Sequence, residues 1–298
     1  MNKLISSVTV AALLLCGAAL QAQTLDKIRK EGAITLGHRE ASIPFSYLDD
    51  KQNPIGYSMD ICQKIAEAVK AELKLPNLVI KMTPVTSATR IPLMANGTID
   101  LECGSTTNNA ERQKQVAYAP TTFITANRFV SKKASGVSNL DSLKGKTVVS
   151  TSGTTNIKQV TELNAARNLG MNILPAKDHA EAFLMVETGR ATAFVMDDIL
   201  LYSLVASAKT PADYVVSVEG LSVEPYGIML RKDDPTFKAV ADKTVSGLMK
   251  SGEIEKIYAK WFQSPVPPKG INLNLPISAA LKRQFEKPTD SPDPKLYE

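Results

Sequence analysis

Residues 57–83 read YSMDICQKIAEAVKAELKLPNLVIKMT, a helix-like segment followed directly by a strand-like one. Four apolar residues of the first segment recur at every fourth position and so mark one face of a helix: Ile61, Ile65, Val69 and Leu73. The segment's charged residues fall away from that face: Lys64, Glu67, Lys70 and Glu72. From residue 78 the stretch becomes short, apolar and β-branched, which is typical of a strand. This stretch therefore predicts one helix–strand unit of a layered α/β fold.

The same alternation extends along most of the chain. Short apolar or β-branched segments predict strands over residues 33–37, 78–83, 98–103, 147–151, 191–196 and 226–231. Helix-like segments separate them, so we expect an α/β fold with mainly parallel strands. The segments MANG (94–97) and VETG (186–189) each resemble a helix end before a strand, a weak repeat that favours two similar lobes. Prolines are frequent after residue 264, which predicts a surface extension rather than a third domain.

Composition limits the class of protein. The 298 residues are 44% hydrophobic and 22% charged, the balance of an ordinary globular protein with two domains. The net charge is +5, but the basic residues are scattered and form no block, so we expect no nucleic-acid partner. After residue 22, no apolar run approaches the roughly 20 residues that a membrane-spanning helix needs.

Residues 1–22 have the pattern of a secretory signal peptide. Lys3 precedes an apolar stretch over residues 8–15, and small residues follow. We place cleavage after Ala22, with Ala19 as the alternative. Cys16 follows Leu15, where a lipoprotein signal would have a small residue, so a lipid anchor is not expected. The sequence thus predicts export.

Two cysteines remain after such cleavage, Cys62 and Cys103. An oxidising compartment permits a disulfide between them. Spacing alone does not show that they are close, so a disulfide and two free, packed cysteines both stay open.

Catalytic motifs are absent from the sequence. It has two histidines and no HExxH, GxSxG or paired CxxC motif, and its TSGTT segment (151–155) lacks the lysine of a phosphate loop. A thiol triad could in principle form from Cys103, His179 and Asp197, but no recognisable nucleophile motif surrounds Cys103. We therefore expect neither an enzyme nor a metal or nucleotide cofactor.

Polar residues instead follow the predicted strands, where open α/β sheets bind their ligands. Each of them alone is compatible with an ordinary helix cap or surface charge, but five strand ends in succession carry such groups. The candidates are Arg39, Ser87, Arg90, Ser105, Thr107, Arg112, Thr155 and Asp197.

These groups match one ligand chemistry. Arginines bind carboxylates through paired, charge-assisted hydrogen bonds, and helix starts add N–H donors that favour anions. Asp197 could hold an ammonium group. Two anionic groups and one cationic group are the charges of an acidic amino acid.

The sequence resembles the periplasmic amino-acid solute-binding proteins of ABC transporters, and within them the glutamate/aspartate-binding branch. The resemblance covers about residues 25–287. It is carried by GHRE (37–40), PFSY (44–47), GYS (56–58), TS (86–87), RIPL (90–93), NGT (96–98), ECGSTTNN (102–109), ERQKQ (111–115), TSGTT (151–155), AKDH (176–179), MDD (196–198) and MLRKDDP (229–235).

The resemblance implies a type II periplasmic binding protein: two Rossmann-like lobes joined by two crossing strands. Lobe 1 would comprise residues 25–126 and 224–262, lobe 2 residues 127–223, and residues 263–298 a C-terminal surface extension. The implied ligand contacts fall into three groups. Arg112, Thr107 and the helix start near Thr155 would hold the α-carboxylate; Asp197 and the Ser105 region the α-ammonium; Arg39, Ser87, Arg90 and His179 the side-chain carboxylate.

The implied partner is an ABC permease in the inner membrane, and we expect a monomer. Two alternatives use the same scaffold: an exported, dehydratase-like enzyme with His179 as its acid or base, or a sensory domain that presents its ligand to a membrane protein.

One departure from the family pattern concerns Cys103, because some relatives carry its partner cysteine near the position of Tyr226, where this chain has none. The segment 222–226 could therefore alter closure or selectivity.

Overall fold

The computed structural model describes residues 23–298, so the predicted signal peptide lies outside the described residues. The helices are α1 (Thr24–Glu31), α2 (Tyr57–Glu72), α3 (Arg90–Ala95), α4 (Ala110–Gln113), α5 (Thr155–Ala166), α6 (His179–Glu187), α7 (Asp198–Ser207), α8 (Pro235–Lys250), α9 (Glu253–Phe262) and α10 (Ala279–Glu286). The strands are β1 (Ala33–His38), β2 (Ala41–Ser42), β3 (Ser46–Leu48), β4 (Pro54–Ile55), β5 (Val79–Pro84), β6 (Leu101–Glu102), β7 (Val116–Tyr118), β8 (Phe123–Lys132), β9 (Thr147–Thr151), β10 (Asn172–Ala176), β11 (Ala193–Asp197), β12 (Tyr214–Val216), β13 (Ser222–Tyr226) and β14 (Met229–Arg231). Within these residues, no helix has the length and apolar character needed to cross a membrane.

Two main sheets organise the chain. The first has the strand order β5-β1-β6-β14-β7, and the second has the order β10-β9-β11-β8-β12, with β13 also paired to β8. The chain passes from the first sheet to the second through β8 and returns through β13. These two strands run antiparallel to each other, with Phe123 opposite Tyr226 and Asn127 opposite Ser222.

The expectation of mainly parallel strands is wrong. The strands linked by helices pair in parallel, as β1 does with β5 and β6, and β9 with β10 and β11. Strands β8, β12, β13 and β14 join their neighbours antiparallel. Strands β8 and β13 connect the two sheets, and β14 follows β13 after a short turn, so these three enter without a crossover helix and need not be parallel. Strand β12 follows α7 and is antiparallel because its neighbour is β8. Both sheets are therefore mixed.

Two predicted strands have different bounds. In residues 98–103 the strand is only Leu101–Glu102, because the Asn96 side chain accepts hydrogen bonds from the Thr98 N–H and hydroxyl and holds a turn there. The apolar run 226–231 is split, since Tyr226 ends β13 in the second sheet and Met229 begins β14 in the first. Gly227 lies at the break, where an added Cβ would be 3.0 Å from the Ala119 carbonyl oxygen.

The predicted helix over residues 57–73 is confirmed as α2, and its apolar face lies in the core. Ile61, Ile65 and Val69 are fully buried. Cys62, on the same helix, forms a disulfide with Cys103 at the end of β6, with the Cα atoms 6.0 Å apart. Of the two alternatives left open by the sequence, the structure therefore has the disulfide.

The proline-rich C-terminal region packs against the rest of the described chain. It contains α10, whose Leu281 and Phe285 are buried, and its last aromatic residue, Tyr297, is also buried. The Thr289 carbonyl accepts a hydrogen bond from the Thr121 N–H, just before β8. This region therefore rests against the strands that connect the two sheets.

Candidate functional site

One small cavity, of about 10 Å³, brings together side chains from elements of both sheets. That volume is about the room for a single water molecule. Seven of the nine predicted site residues line it: Ser87, Arg90, Ser105, Thr107, Thr155, His179 and Asp197. The other lining residues are Thr154, Asn156, Met196 and Leu200. Arg39 and Arg112 are not in this lining, although both are buried.

The cavity has two walls, one formed by elements of the first sheet and one by elements of the second, and the two are in contact beside it. The Arg112 guanidinium donates to the Thr107 carbonyl at 2.8 Å on its own side and to the Gly153 carbonyl at 3.3 Å across the cleft. Gly153 has a φ of +76°, and a Cβ there would overlap the backbone of Ser87 and Ala88. Glycine at this position therefore lets the start of α5 approach the opposite wall closely.

Arg90 is oriented by a buried network at the end of β6. Its Nη1 donates to the Thr106 hydroxyl and, at 3.3 Å, to the Ser105 carbonyl. The Thr106 hydroxyl donates its own proton to Glu102 Oε2 at 2.5 Å. Glu102 Oε1 lies 3.8 Å from Arg90 Nη1, which is an ion pair but too long for a hydrogen bond. The hydroxyl thus links the two charges.

Several buried polar atoms around the cavity have no hydrogen-bond partner among the described residues. Five of them belong to predicted site residues: Arg39 Nη1, Ser87 Oγ, Arg90 Nε, Ser105 Oγ and His179 Nε2. A buried polar atom without a partner costs free energy, and natural proteins contain few of them. Their concentration in one place indicates a surface built to bind a polar ligand.

Burial shifts the pKa values of the cationic groups downward. It lowers the pKa of Arg90 to about 9, with the nearby charge of Arg112 as the next cause and Glu102 opposing. It also lowers the pKa of Arg39, with Glu102 and Asp178 opposing. With a pKa of about 9, the Arg90 guanidinium stays protonated at neutral pH.

His179 is neutral in this surrounding. Burial, and after it the charges of Arg39 and Arg90, hold its pKa well below the ordinary value. Its Nδ1 lies 2.8 Å from the Thr151 hydroxyl, so its Nε2 is left facing the cavity region without a partner. A neutral imidazole with one fixed nitrogen can donate or accept one hydrogen bond from a ligand.

Asp197 lies at the end of β11, where its carboxylate is held from two sides. Asn156 Nδ2 donates to Oδ1 at 2.7 Å, and the Tyr226 hydroxyl donates to Oδ2. Burial raises the pKa of Asp197 to about 7; Glu224 adds to the shift, and the Tyr226 and Asn156 hydrogen bonds oppose it. An added positive charge at this carboxylate would therefore be strongly favourable.

Three residues at the site were not predicted from the sequence: Glu102, Asn156 and Tyr226. Glu102 is fully buried at the end of an apolar strand, a placement that could have drawn attention to it because buried acids need partners. Asn156 and Tyr226 come within reach of Asp197 only through the fold, so no local pattern marks them. Among residues 23–298, no group of three or more His, Cys, Asp or Glu side chains is arranged to hold a metal ion.

Comparison with known proteins gives consistent matches. The family model described as bacterial extracellular solute-binding proteins, family 3, matches residues 34–264. The chain is 53% identical over 290 residues to the L-glutamate/L-aspartate-binding protein of Pseudomonas aeruginosa, covering 96% of each chain. It is 49% identical to the glutamate/aspartate import solute-binding protein of Escherichia coli K12, covering 90% of this chain and 88% of that protein.

A solved structure shares the fold. The arginine-bound form of ArgBP from T. maritima superposes with a TM-score of 0.66 at 28% identity, covering 75% of this chain and 99% of the other. The predicted α/β, two-lobe class is thereby confirmed.

Proposed function

Because the chain belongs to family 3 of the bacterial extracellular solute-binding proteins, we propose that it captures an acidic L-amino acid, glutamate or aspartate, and delivers it to an ABC permease in the inner membrane. The chain would act outside the cytoplasm after loss of residues 1–22, as a monomer and without a nucleic-acid partner. The two relatives described above carry names for binding and import of these amino acids. An enzyme on the same scaffold has no comparable support.

The observation that carries this proposal is the arrangement of three buried arginines around a cavity whose lining contains one acid, Asp197. Arg90 and Asp197 both line the cavity, and Arg39 and Arg112 are close enough to Arg90 to lower its pKa. Buried cations of this kind are stable only with anionic partners, and Glu102 supplies one negative charge to the three arginines. A ligand with two carboxylates and one ammonium group supplies the complementary charges.

We assign the ligand groups as follows. The side-chain carboxylate is surrounded by four residues: Arg39, Ser87, Arg90 and His179. Each of the four has a buried polar atom without a hydrogen-bond partner among the described residues. Arg112, Thr107 and the start of α5 at Thr155 hold the α-carboxylate. Asp197 and Ser105 hold the α-ammonium group.

Closure of two lobes would complete the site. We take lobe 1 as residues 25–126 and 224–262, lobe 2 as residues 127–223, and residues 263–298 as an extension beside the connecting strands. The sheet composition supports this division, since β1, β5, β6, β7 and β14 form the first sheet. Most of the side chains that line the cavity are buried, so the ligand must enter while the lobes are apart. Contacts made only on closure then stabilise the closed form.

A thermal-denaturation panel tests the function. The twenty L-amino acids and a set of dicarboxylates are each added to the mature protein, and the melting temperature is recorded. We expect L-glutamate and L-aspartate to raise it most, because a ligand at about 100 times its Kd stabilises the folded state by roughly 2.7 kcal/mol. Stabilisation by neutral or basic amino acids, with none by the acidic pair, would contradict the proposal.

Binding should depend on pH through Asp197. Its carboxyl has a pKa of about 7, whereas a bound ammonium group requires the ionised form and lowers that pKa. Binding below neutral pH therefore releases a proton, and affinity should rise by at most about tenfold per pH unit until about pH 7 and then level off. Burial and the charges of Arg39 and Arg90 hold the pKa of His179 well below its ordinary value, so we assign this slope to Asp197.

Calorimetric titration of L-glutamate in buffers of different ionisation enthalpy measures the released protons directly. The variant Asp197→Asn should show no such release near pH 6. An unchanged affinity between about pH 5.5 and about pH 7 in the unmodified protein would rule out Asp197 as the ammonium partner.

A further inference from the structure

Helix α2 is joined to the segment 103–107, which we call the ligand loop, at two consecutive loop residues. Cys62 forms the disulfide with Cys103. Ser58 donates its hydroxyl proton to the Gly104 carbonyl at 2.8 Å. Ser58 and Cys62 are four residues apart and so lie on the same helix face. All of these contacts are buried, with Ser58 2% exposed and both cysteines fully enclosed.

The ligand loop supplies several groups to the cavity. Ser105 and Thr107 line it, and the Ser105 hydroxyl is buried without a partner. The carbonyl groups of the same two residues accept hydrogen bonds from Arg90 and Arg112. A displacement of the loop would therefore move two hydroxyls and release two arginine side chains together.

Most of this loop lies outside regular secondary structure, and only Thr107 forms a β-bridge, to Tyr226. It lies between the end of β6 and the start of α4, and its backbone bonds to the sheets are at its ends. The Cys103 N–H donates to the Gly37 carbonyl at 2.8 Å, and the Thr106 carbonyl accepts from the Gly227 N–H at 3.2 Å. Between these points, the hydrogen bonds to the Gly104 and Ser105 carbonyls come from side chains. The two links from α2 thus hold the part of the loop that is least supported by the sheets.

We propose that Cys62 and Ser58 are positioning residues for ligand binding, which hold the ligand loop in its binding geometry through the disulfide and the Ser58 hydrogen bond. This inference rests on the proposed function, since it concerns affinity for the same ligand. A loop that is already ordered loses less conformational entropy on binding than a mobile one. The two links therefore contribute to affinity although neither Cys62 nor Ser58 lines the cavity.

The principal test compares the double variant Cys62→Ala/Cys103→Ala with Val69→Ala. Val69 is fully buried on the same helix, about 10 Å beyond Cys62, so its truncation reduces core packing away from the loop. Calorimetry gives the Kd for L-glutamate at a temperature where every variant is folded, and thermal melts give the stability. Hydrogen exchange reports on the amides of residues 103–107.

We expect both changes to lower the melting temperature. The double variant should also weaken L-glutamate binding by about tenfold and accelerate exchange in the ligand loop. Val69→Ala should leave the Kd within about twofold and the loop exchange unchanged. The inference is overturned if the double variant binds as tightly as the unmodified protein, or if affinity follows melting temperature in all variants alike.

Ser58→Ala provides a second test that keeps the disulfide. It removes one hydroxyl, and we expect about threefold weaker binding with faster exchange near Gly104. Unchanged binding and exchange in Ser58→Ala would overturn the inference. This result remains decisive even when the double cysteine variant fails to fold. If the unmodified protein binds no acidic amino acid, the proposed function fails, and loop exchange alone then decides whether α2 holds the loop.

Discussion

Replacing Arg90 with alanine is expected to weaken L-glutamate binding by about thirtyfold to a few thousandfold. Arg90 is 2% exposed and lines the cavity. Removal of one partner from a buried, hydrogen-bonded charge pair costs roughly 2 to 5 kcal/mol, and each 1.4 kcal/mol is about tenfold in affinity. Calorimetric titration of the purified variant measures the change.

The control for this variant must separate binding from folding. Loss of Arg90 leaves Glu102 buried beside an uncharged residue, which lowers stability. The double variant Arg90→Ala/Glu102→Gln removes that charge, and we expect it to recover stability without recovering binding. Arg231→Ala is the matched control, because this half-buried arginine contacts Thr24 and not the cavity. Near-normal affinity in Arg90→Ala would remove Arg90 from the binding site.

Replacing Asp197 with asparagine is expected to discriminate between ligands. The change keeps the shape of the side chain but removes the charge that would face the α-ammonium group. We expect L-glutamate to bind about a hundredfold more weakly, as for other buried charge pairs, while glutarate, which lacks the amino group, changes little. Parallel titrations with the two ligands give this ratio.

Asp198→Asn is the neighbouring control. The Asp198 carboxylate accepts a hydrogen bond from the Thr125 hydroxyl at 2.6 Å and pairs with Arg128 at 3.0 Å, outside the cavity lining. Its replacement should leave both ligands within about twofold of their original affinities. Equal losses for L-glutamate and glutarate in Asp197→Asn would show that Asp197 does not contact the amino group.

The fold could be predicted from sequence where local patterns determine it. Helix α2 has an apolar residue at every fourth position, and the helix spans Tyr57–Glu72 as expected. Pairing direction has no such local signal, so the antiparallel strands were missed. The apolar run after Tyr226 looks like one strand because hydropathy does not record that its two halves enter different sheets at Gly227.

The candidate site was predictable to a similar extent. Polar residues that directly follow strands indicate the ligand-binding edge of a sheet, and seven of the predicted residues do line one cavity. The residues that support them were not predictable, because Tyr226 is 29 positions from Asp197 and meets it only in the folded chain. The Cys62–Cys103 disulfide, with a separation of 41, stayed open in the sequence for the same reason.

The buried arginines at this site are expected to select a ligand with a second carboxylate. The most direct measurement is a calorimetric comparison of L-glutamate with L-glutamine, which has nearly the same shape but a neutral amide. We expect L-glutamate to bind at least about a hundredfold more tightly, because the amide leaves buried arginine charges unpaired. Equal affinity for the two ligands, or tighter binding of L-glutamine, would contradict the account.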